Sequence, residues 1–145
     1  MNNLDNARKE DIKNKILDLH SGSPKKYRVK YYRKVLNSIN RFSKYCNADY
    51  DLVKEDVLDA LGSSCKYCGE EINAKNLSGD HIIPLTRGGV SYLDNFQLIC
   101  NRCNKRKGDL TNEEYVSLLD LISFWDDEAQ LYVLRQMSKS DYYGS

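Results

Sequence analysis

The stretch that decides the fold runs from Cys65 to Cys103 and contains two matched pairs, Cys65-x-x-Cys68 and Cys100-x-x-Cys103. Structural Zn²⁺ has four ligands, and thiolates are the ligands it favours. In a reducing compartment, paired Cys-x-x-Cys turns favour a metal over disulfides. We therefore predict that the four cysteines bind one structural Zn²⁺. The alternative interpretation is four thiols that are merely buried.

A zinc ion with four cysteine ligands has no open position, so it is not expected to take part in catalysis. The chain has two histidines, which also excludes a catalytic zinc site with three histidines. Cys46 is left over and is predicted to be a small buried residue or an incidental thiol. Any chemistry must therefore come from other residues near the cysteine pairs.

Further motif residues lie between and after the cysteine pairs. They are, in chain order, Asp80-His81-Ile82-Ile83-Pro84, Gly88-Gly89, Asn95, Asn104 and Lys107-Gly108. Together with the cysteines, this order and spacing resembles the HNH nuclease family. The resemblance covers 65–108, which is under a third of the chain.

The resemblance implies a fold and a set of roles. In that family a hairpin and a following helix hold one divalent metal ion, the ββα-metal arrangement. By position, Asp80 and Asn104 would bind this ion, His81 would be the general base, Asn95 would brace the loop that bears His81, and Lys107 would face a phosphate. The commonest ending in the family has histidine where Asn104 stands, with asparagine as an alternative.

The residue types suit phosphodiester hydrolysis even when the resemblance to the family is set aside. An imidazole that titrates near neutrality can activate water. A carboxylate and an amide oxygen suit Mg²⁺ or Mn²⁺, and such an ion polarises the phosphate and stabilises the leaving oxygen.

Each of these residues also has a structural alternative. Asp80 could be a turn residue, His81 a buried structural histidine, and Asn95 or Asn104 a helix cap. Lys107 could be a surface charge, because Lys105 and Arg106 compete for its role. Alone, any of the motif residues is weak evidence, and the functional interpretation depends on their joint presence.

The charges are unevenly distributed although the formal net charge is only +1. The segment 25–44 contains eight Lys or Arg residues and no acid, interleaved with tyrosines. Such a stretch favours a polyanionic partner such as DNA, and the alternative is a solvated helix face. The residues predicted to bind nucleic acid are Lys25, Lys26, Arg28, Lys30, Arg33, Lys34, Arg87, Arg102, Lys105 and Arg106.

The C-terminal segment is acidic. From residue 109 to the end, eight Asp or Glu residues stand against Arg135 and Lys139. This segment is predicted to point away from a DNA substrate or to bind a protein partner. No prediction of the oligomeric state follows.

Apolar periodicity predicts helices over 4–19, about 25–45 and 50–61, followed by two C-terminal helices. The segment 101–107 is predicted to begin or form a further helix. Thr111 and Glu114 form a capping-box pattern at the first of the two C-terminal helices, and the last covers about 126–137. A short strand or hairpin arm is predicted over 77–86, a compact connector over 92–99, and a frayed tail after Lys139. The fold class is α+β: an N-terminal helical, basic arm (1–61), an HNH nuclease core with zinc knuckles (62–110), and C-terminal helices packed on the core (111–145).

No apolar run approaches the ~20 residues that span a bilayer, and the N-terminus is polar. The sequence therefore predicts a soluble protein of the cytoplasm, in a bacterium or in the host of a phage.

The predicted function is a metal-dependent endonuclease acting on DNA, which by the resemblance leaves 5′-phosphate and 3′-hydroxyl ends. The resemblance also extends to small HNH proteins of phages and mobile elements. The alternatives are a non-catalytic zinc module that binds nucleic acid and an accessory subunit of a DNA-processing complex.

Overall fold

The structure, a computed structural model, describes residues 3–138. Within this range it contains six α-helices, two short 3₁₀ turns and one two-stranded antiparallel sheet, which confirms the α+β class. The elements are α1 (Asn3–Leu19), α2 (Lys25–Tyr45), α3 (Tyr50–Ala60), β1 (Leu77–His81), β2 (Phe96–Cys100), α4 (Asn101–Lys107), α5 (Asn112–Ile122) and α6 (Asp127–Ser138). The 3₁₀ turns are Leu85–Arg87 and Leu93–Asn95.

The three N-terminal helices form because each has apolar residues at helical spacing. Ile12 and Ile16 of α1 are buried, as are Val35 and Ile39 of α2. Asp49 caps α3 by accepting a hydrogen bond from the backbone N–H of Asp51, at 2.8 Å. These helices share one continuous core with the cysteine region and the hairpin, and α2 and α3 pack on each other.

The hairpin differs from the prediction in its bounds. The strand predicted to reach Thr86 ends at His81, because the backbone N–H groups of Ile82 and Ile83 donate to Asn95 instead of to a partner strand. The segment 96–100, predicted as part of a connector, is a strand that pairs antiparallel with β1. A five-residue strand carries little periodic signal of its own, so its partner defines it.

The C-terminal half begins with α4, which follows β2 directly and ends at Lys107, with Gly108 (φ 54°) as its C-cap. The predicted capping box is confirmed: Thr111 and Glu114 exchange hydrogen bonds at the start of α5. Helix α6 packs on α4. The tail predicted to fray after Lys139 lies outside the described residues.

Across residues 3–138, no helix combines the length and the apolar character that crossing a membrane requires.

Candidate active site and metal centre

The four paired cysteines converge on one point. Cys65 lies just after α3, Cys100 ends β2, and Cys103 lies in the first turn of α4. The four Sγ atoms all lie within 4.8 Å of one another, and those of Cys68 and Cys100 are 3.6 Å apart. Tetrahedral Zn²⁺ with Zn–S bonds of about 2.3 Å needs sulfur atoms about 3.8 Å apart. The cluster therefore fits a four-coordinate Zn²⁺.

The electrostatics of the cluster also call for a cation. Burial raises the pKa of Cys100 to about 11 and raises that of Cys103 further. Cys65 is also buried, but backbone N–H donors, among them that of Cys68, keep its pKa at about 7. Four adjacent thiolates, three of them buried, repel one another, so a divalent cation is needed to hold all four in the ligand form.

Asp80 is buried on the side of β1 that faces α4. Its Oδ2 atom accepts a hydrogen bond from Nε2 of Gln97 at 2.8 Å. The same oxygen forms an ion pair with Nζ of Lys107 at 2.9 Å. Gln97 reaches Asp80 because the two residues are directly opposite in the hairpin register. Both interactions fall on Oδ2, which leaves Oδ1 as the oxygen for a cation.

Lys107 lies inside the protein and its side chain is 0% exposed. Its ammonium group donates to the backbone carbonyl of His81 at 2.9 Å, in addition to pairing with Asp80. The sequence interpretation placed this residue at a phosphate; in the structure it joins α4 to the end of β1. A buried charge with two partners at hydrogen-bond distance holds the end of the hairpin in a fixed position.

Replacing Lys107 with alanine is expected to destabilise the fold by about 3–5 kcal/mol, because Asp80 would remain as a buried and uncompensated charge. Chemical denaturation followed by circular dichroism measures this loss. The matched control is Lys105→Ala, which removes an exposed lysine from the same helix. Equal stabilities of the two variants would contradict a structural role for the Asp80–Lys107 ion pair.

Asn104 joins α4 to the other end of β1. Its amide nitrogen donates to Oγ of Ser78 at 2.6 Å and to the backbone carbonyl of Gly79 at 3.1 Å. With the nitrogen engaged in this way, the amide oxygen is the atom left to bind a cation. Asp80 of β1 and Asn104 of α4 thus lie where the hairpin and α4 pack together, and each has one oxygen left to bind a cation.

His81 is only 2% exposed, and neither imidazole nitrogen has a hydrogen-bond partner. Its ring centroid lies 5.0 Å from that of Tyr45 on α2 and 5.9 Å from that of Phe96 on β2. Burial lowers the pKa of His81; Asp80 opposes this shift and Lys107 adds to it, so the net direction favours the neutral imidazole. Buried polar atoms are nearly always paired, so an imidazole with no partner is the exception that requires a ligand, a water or a substrate.

Asn95 fastens the loop that follows His81. Its side chain accepts a hydrogen bond from the N–H of Ile83 and donates to the carbonyls of Ile83 and Val90, each at 2.9 Å. The loop contains Gly89, where an added Cβ would lie 1.8 Å from the carbonyl oxygen of Ile83. Glycine is therefore required at this position for the loop to close on itself.

The hairpin brings some of the predicted residues together and separates others. Asp80, Asn104 and Lys107 meet on the α4 side. Successive residues of a strand point to opposite faces, so His81 points to the α2 side instead. A substrate atom can therefore approach both His81 and Asp80 only around the end of β1.

Sequence reasoning missed four residues of this region: Tyr45, Ser78, Phe96 and Gln97. The strand pairing of 96–100 would have identified Gln97 and Phe96, because they stand opposite Asp80 and His81. Tyr45 had only one signal, its position at the end of a helix rich in basic residues and tyrosines.

The basic residues fall into two groups. Those of α2 form an exposed set, except that Arg28 is half-buried. Arg87 and Arg102 are instead paired with acids, Arg87 with Glu114 at 2.7 Å and Arg102 with Glu70 at 2.9 Å. Lys105 is exposed, whereas Arg106 is half-buried and its Nε has no partner. The free positive charge therefore concentrates on α2.

Residues 65–118, which include both cysteine pairs and every motif residue described above, match the HNH endonuclease family model. This segment is similar to HNH endonucleases. The match confirms the resemblance that the motif residues predicted. The matched segment begins at Cys65, the first cysteine of the cluster, and extends into α5.

Two similar proteins are CRISPR-associated endonucleases named Cas9. The chain is 30% identical over 82 residues to that of Corynebacterium diphtheriae, covering 56% of this chain and 7% of that protein. It is 35% identical over 60 residues to that of Actinomyces naeslundii, covering 41% of this chain and 5% of that protein. The chain thus spans less than a tenth of the length of either relative, and the likeness concerns one segment. The family and these relatives support a nuclease.

Proposed function

We propose that this chain is a metal-dependent endonuclease that hydrolyses DNA phosphodiester bonds, with His81 as the general base. The observation that carries the proposal is the buried and unpartnered imidazole of His81, next in sequence to a carboxylate and inside the segment that matches HNH endonucleases. A neutral imidazole can accept a proton from water.

Two metal ions are proposed, with separate tasks. Zn²⁺ would be bound by the four cysteines, whose sulfur spacing fits it. A second ion, Mg²⁺ or Mn²⁺, would be held by Oδ1 of Asp80 and the amide oxygen of Asn104, because hard cations prefer oxygen ligands. When bound, this ion would neutralise charge on the phosphate and the leaving oxygen.

The remaining residues of the site would position the reacting groups. Lys107 and Gln97 hold Asp80 in place, and Asn95 fixes the loop after His81. Lys107 would act through Asp80 and the end of β1, not by contact with a phosphate. The reacting phosphodiester would lie beyond the end of β1, the place from which both faces of the hairpin can be reached.

The exposed basic residues of α2 would bind the DNA backbone, since lysine and arginine neutralise phosphates and release counterions. Helix α2 also carries Tyr45, which covers His81. DNA binding and access to the site would therefore involve the same helix. Because the proposed substrate is DNA, the proposed activity would take place in the cytoplasm of a bacterium or of the host of a phage.

Replacing Tyr45 with alanine is expected to uncover His81 and to speed its modification by diethyl pyrocarbonate on the order of tenfold, because a local barrier to access is removed. Peptide mass spectrometry measures the rate at each histidine. His20 is buried and far in sequence, so it serves as the internal reference. Tyr45→Phe keeps the ring and should leave His81 protected. An unchanged rate in Tyr45→Ala would show that Tyr45 does not cover the site.

Nicking of supercoiled plasmid with added Mg²⁺ or Mn²⁺ tests the proposal, and Asn104 variants give the sharpest comparison. Asn104→Ala removes a proposed ligand and should lower the rate by at least about 10–100-fold. Asn104→His, which installs the commonest ending of the motif, should retain activity. Asn101→Ala alters an exposed asparagine of the same helix and serves as the control. Equal rates in Asn104→Ala and Asn101→Ala would contradict the ligand role.

One observation favours a second candidate, a zinc module that binds nucleic acid without cutting it or serves as an accessory subunit. Asp80 is already paired with Lys107, and His81 is covered by Tyr45. A wild-type chain that binds DNA and remains inert with every divalent ion would support this second candidate.

A further inference from the structure

Two exposed surfaces of this chain are apolar at their centres and opposite in charge at their edges. The first is a groove of about 420 Å³ between α1 and α2, with an apolar floor that includes Leu17, Val29 and Tyr32. Leu17 and Val29 are exposed to solvent. An open apolar floor of this kind marks a binding surface more often than a random patch does.

The rim of this groove is basic. All the charged residues that line it are cations, and they are Lys13, Lys25, Arg28 and Arg33. DNA alone does not account for the groove, because phosphates gain little from its apolar floor. Lys26, Lys30 and Lys34 of the same helix lie outside the lining and remain for DNA. The chemistry of the groove instead fits an apolar side chain flanked by carboxylates.

The second surface is the corner between α5 and α6, formed by residues 121–132. Phe124 at its tip is 93% exposed, and Leu121, Trp125 and Tyr132 beside it are exposed too. Acids surround these side chains at Asp120, Asp126, Asp127 and Glu128. The corner therefore presents the chemistry that the groove lacks, an apolar tip within negative charge.

The corner is ordered by its own hydrogen bonds. Gln130 donates through its side chain to the carbonyl of Trp125 at 2.8 Å, and Oδ1 of Asp126 accepts from the N–H of Ala129 at 2.8 Å. A preformed corner costs less conformational entropy on binding than a mobile one does. Since Phe124 is almost fully exposed, the corner does not occupy the groove of its own chain.

We propose that the corner of one copy docks in the α1–α2 groove of a second copy, with Phe124 on the apolar floor and the acids facing the basic rim. The interface joins two different surfaces, so each copy contributes a corner and a groove. The proposal involves none of the residues around Asp80 and His81, but the rim shares Lys25 and Arg33 with the exposed basic residues of α2 that would bind DNA.

Sedimentation velocity of the full chain over a range of concentrations tests the proposal. Wild type is expected to form dimers or larger species whose amount falls as salt rises. Phe124→Asp on the corner and Leu17→Glu in the groove should each weaken association about tenfold or more in Kd. Both sites are solvent-exposed, so both variants should fold. Leu52→Glu, an exposed position of α3 outside both surfaces, should associate as wild type does.

Mixing the two variants gives the decisive result. Phe124→Asp retains an intact groove and Leu17→Glu retains an intact corner, so an equimolar mixture should recover dimers that neither variant forms alone. A monomeric wild type, or a mixture that stays monomeric, would overturn the proposal. The proposal would also be overturned if Phe124→Asp lost association while Leu17→Glu associated as wild type does, because corners would then bind each other. Loss of DNA affinity in Leu17→Glu with unchanged mass would assign the groove to DNA and would also overturn it.

Discussion

Replacing Cys100 with serine is expected to unfold the core of the protein. Structural zinc contributes about 10–16 kcal/mol of apparent binding free energy in small zinc domains, whereas a whole domain is stable by about 5–15 kcal/mol. Cys100 ends β2, opens α4 and belongs to the same buried core as α1–α3. Loss of its thiolate therefore removes an anchor shared by the hairpin and the helix that carries Asn104.

The measurements are zinc content by mass spectrometry and thermal unfolding by circular dichroism. Wild type should contain one tightly bound Zn²⁺ per chain. Cys46→Ala is the matched control, because Cys46 is equally buried but stands apart from the cluster. It should keep its zinc and unfold cooperatively. A Cys100→Ser chain that is well folded without zinc would contradict the division between a structural and a catalytic metal.

Replacing His81 with alanine is expected to lower plasmid nicking by about 10²–10⁴-fold, which is the usual contribution of a general base. Its lowered pKa keeps the imidazole neutral near pH 7, and activity should fall as the pH drops below that lowered pKa. His81 also packs between Tyr45 and Phe96, so alanine leaves a cavity. His81→Gln fills more of that space and should be similarly inactive.

Two controls separate chemistry from folding in this experiment. Denaturation midpoints of both His81 variants should show folded protein at the assay temperature. His20→Gln alters the other histidine, whose Nε2 accepts a hydrogen bond from the N–H of Ala74, and glutamine can replace that acceptor. Its nicking rate should match wild type. If the rate of folded His81→Gln also matched wild type, His81 would not be the base.

Much of the fold could be predicted because its signals are local. The periodic apolar residues of α2 gave its bounds, and Thr111 with Glu114 gave the start of α5. The cysteine spacing predicted a shared cluster because two turns with the same spacing suit one tetrahedral ion. In each case neighbouring residues contain the information.

The rest depends on contacts between distant parts of the chain. The strand at 96–100 is defined by its pairing with β1. Lys107 of α4 is buried where it forms an ion pair with Asp80 of β1, a residue distant in sequence. Tyr45 reaches His81 only because α2 crosses the sheet at that point. A sequence pattern does not encode which helix covers which strand, so the cover over the candidate base was not predictable.

In the proposed mechanism, one metal builds the fold, while a second, weakly held ion and His81 break the phosphodiester bond. The most direct test measures nicking by protein that retains one Zn²⁺ per chain after dialysis against EDTA, with and without added Mg²⁺ or Mn²⁺. We expect no nicking before the ion is added, nicking after it is added, and an unchanged zinc content throughout. Nicking that needs no second ion, or no nicking with any ion by folded and zinc-loaded wild type, would contradict it.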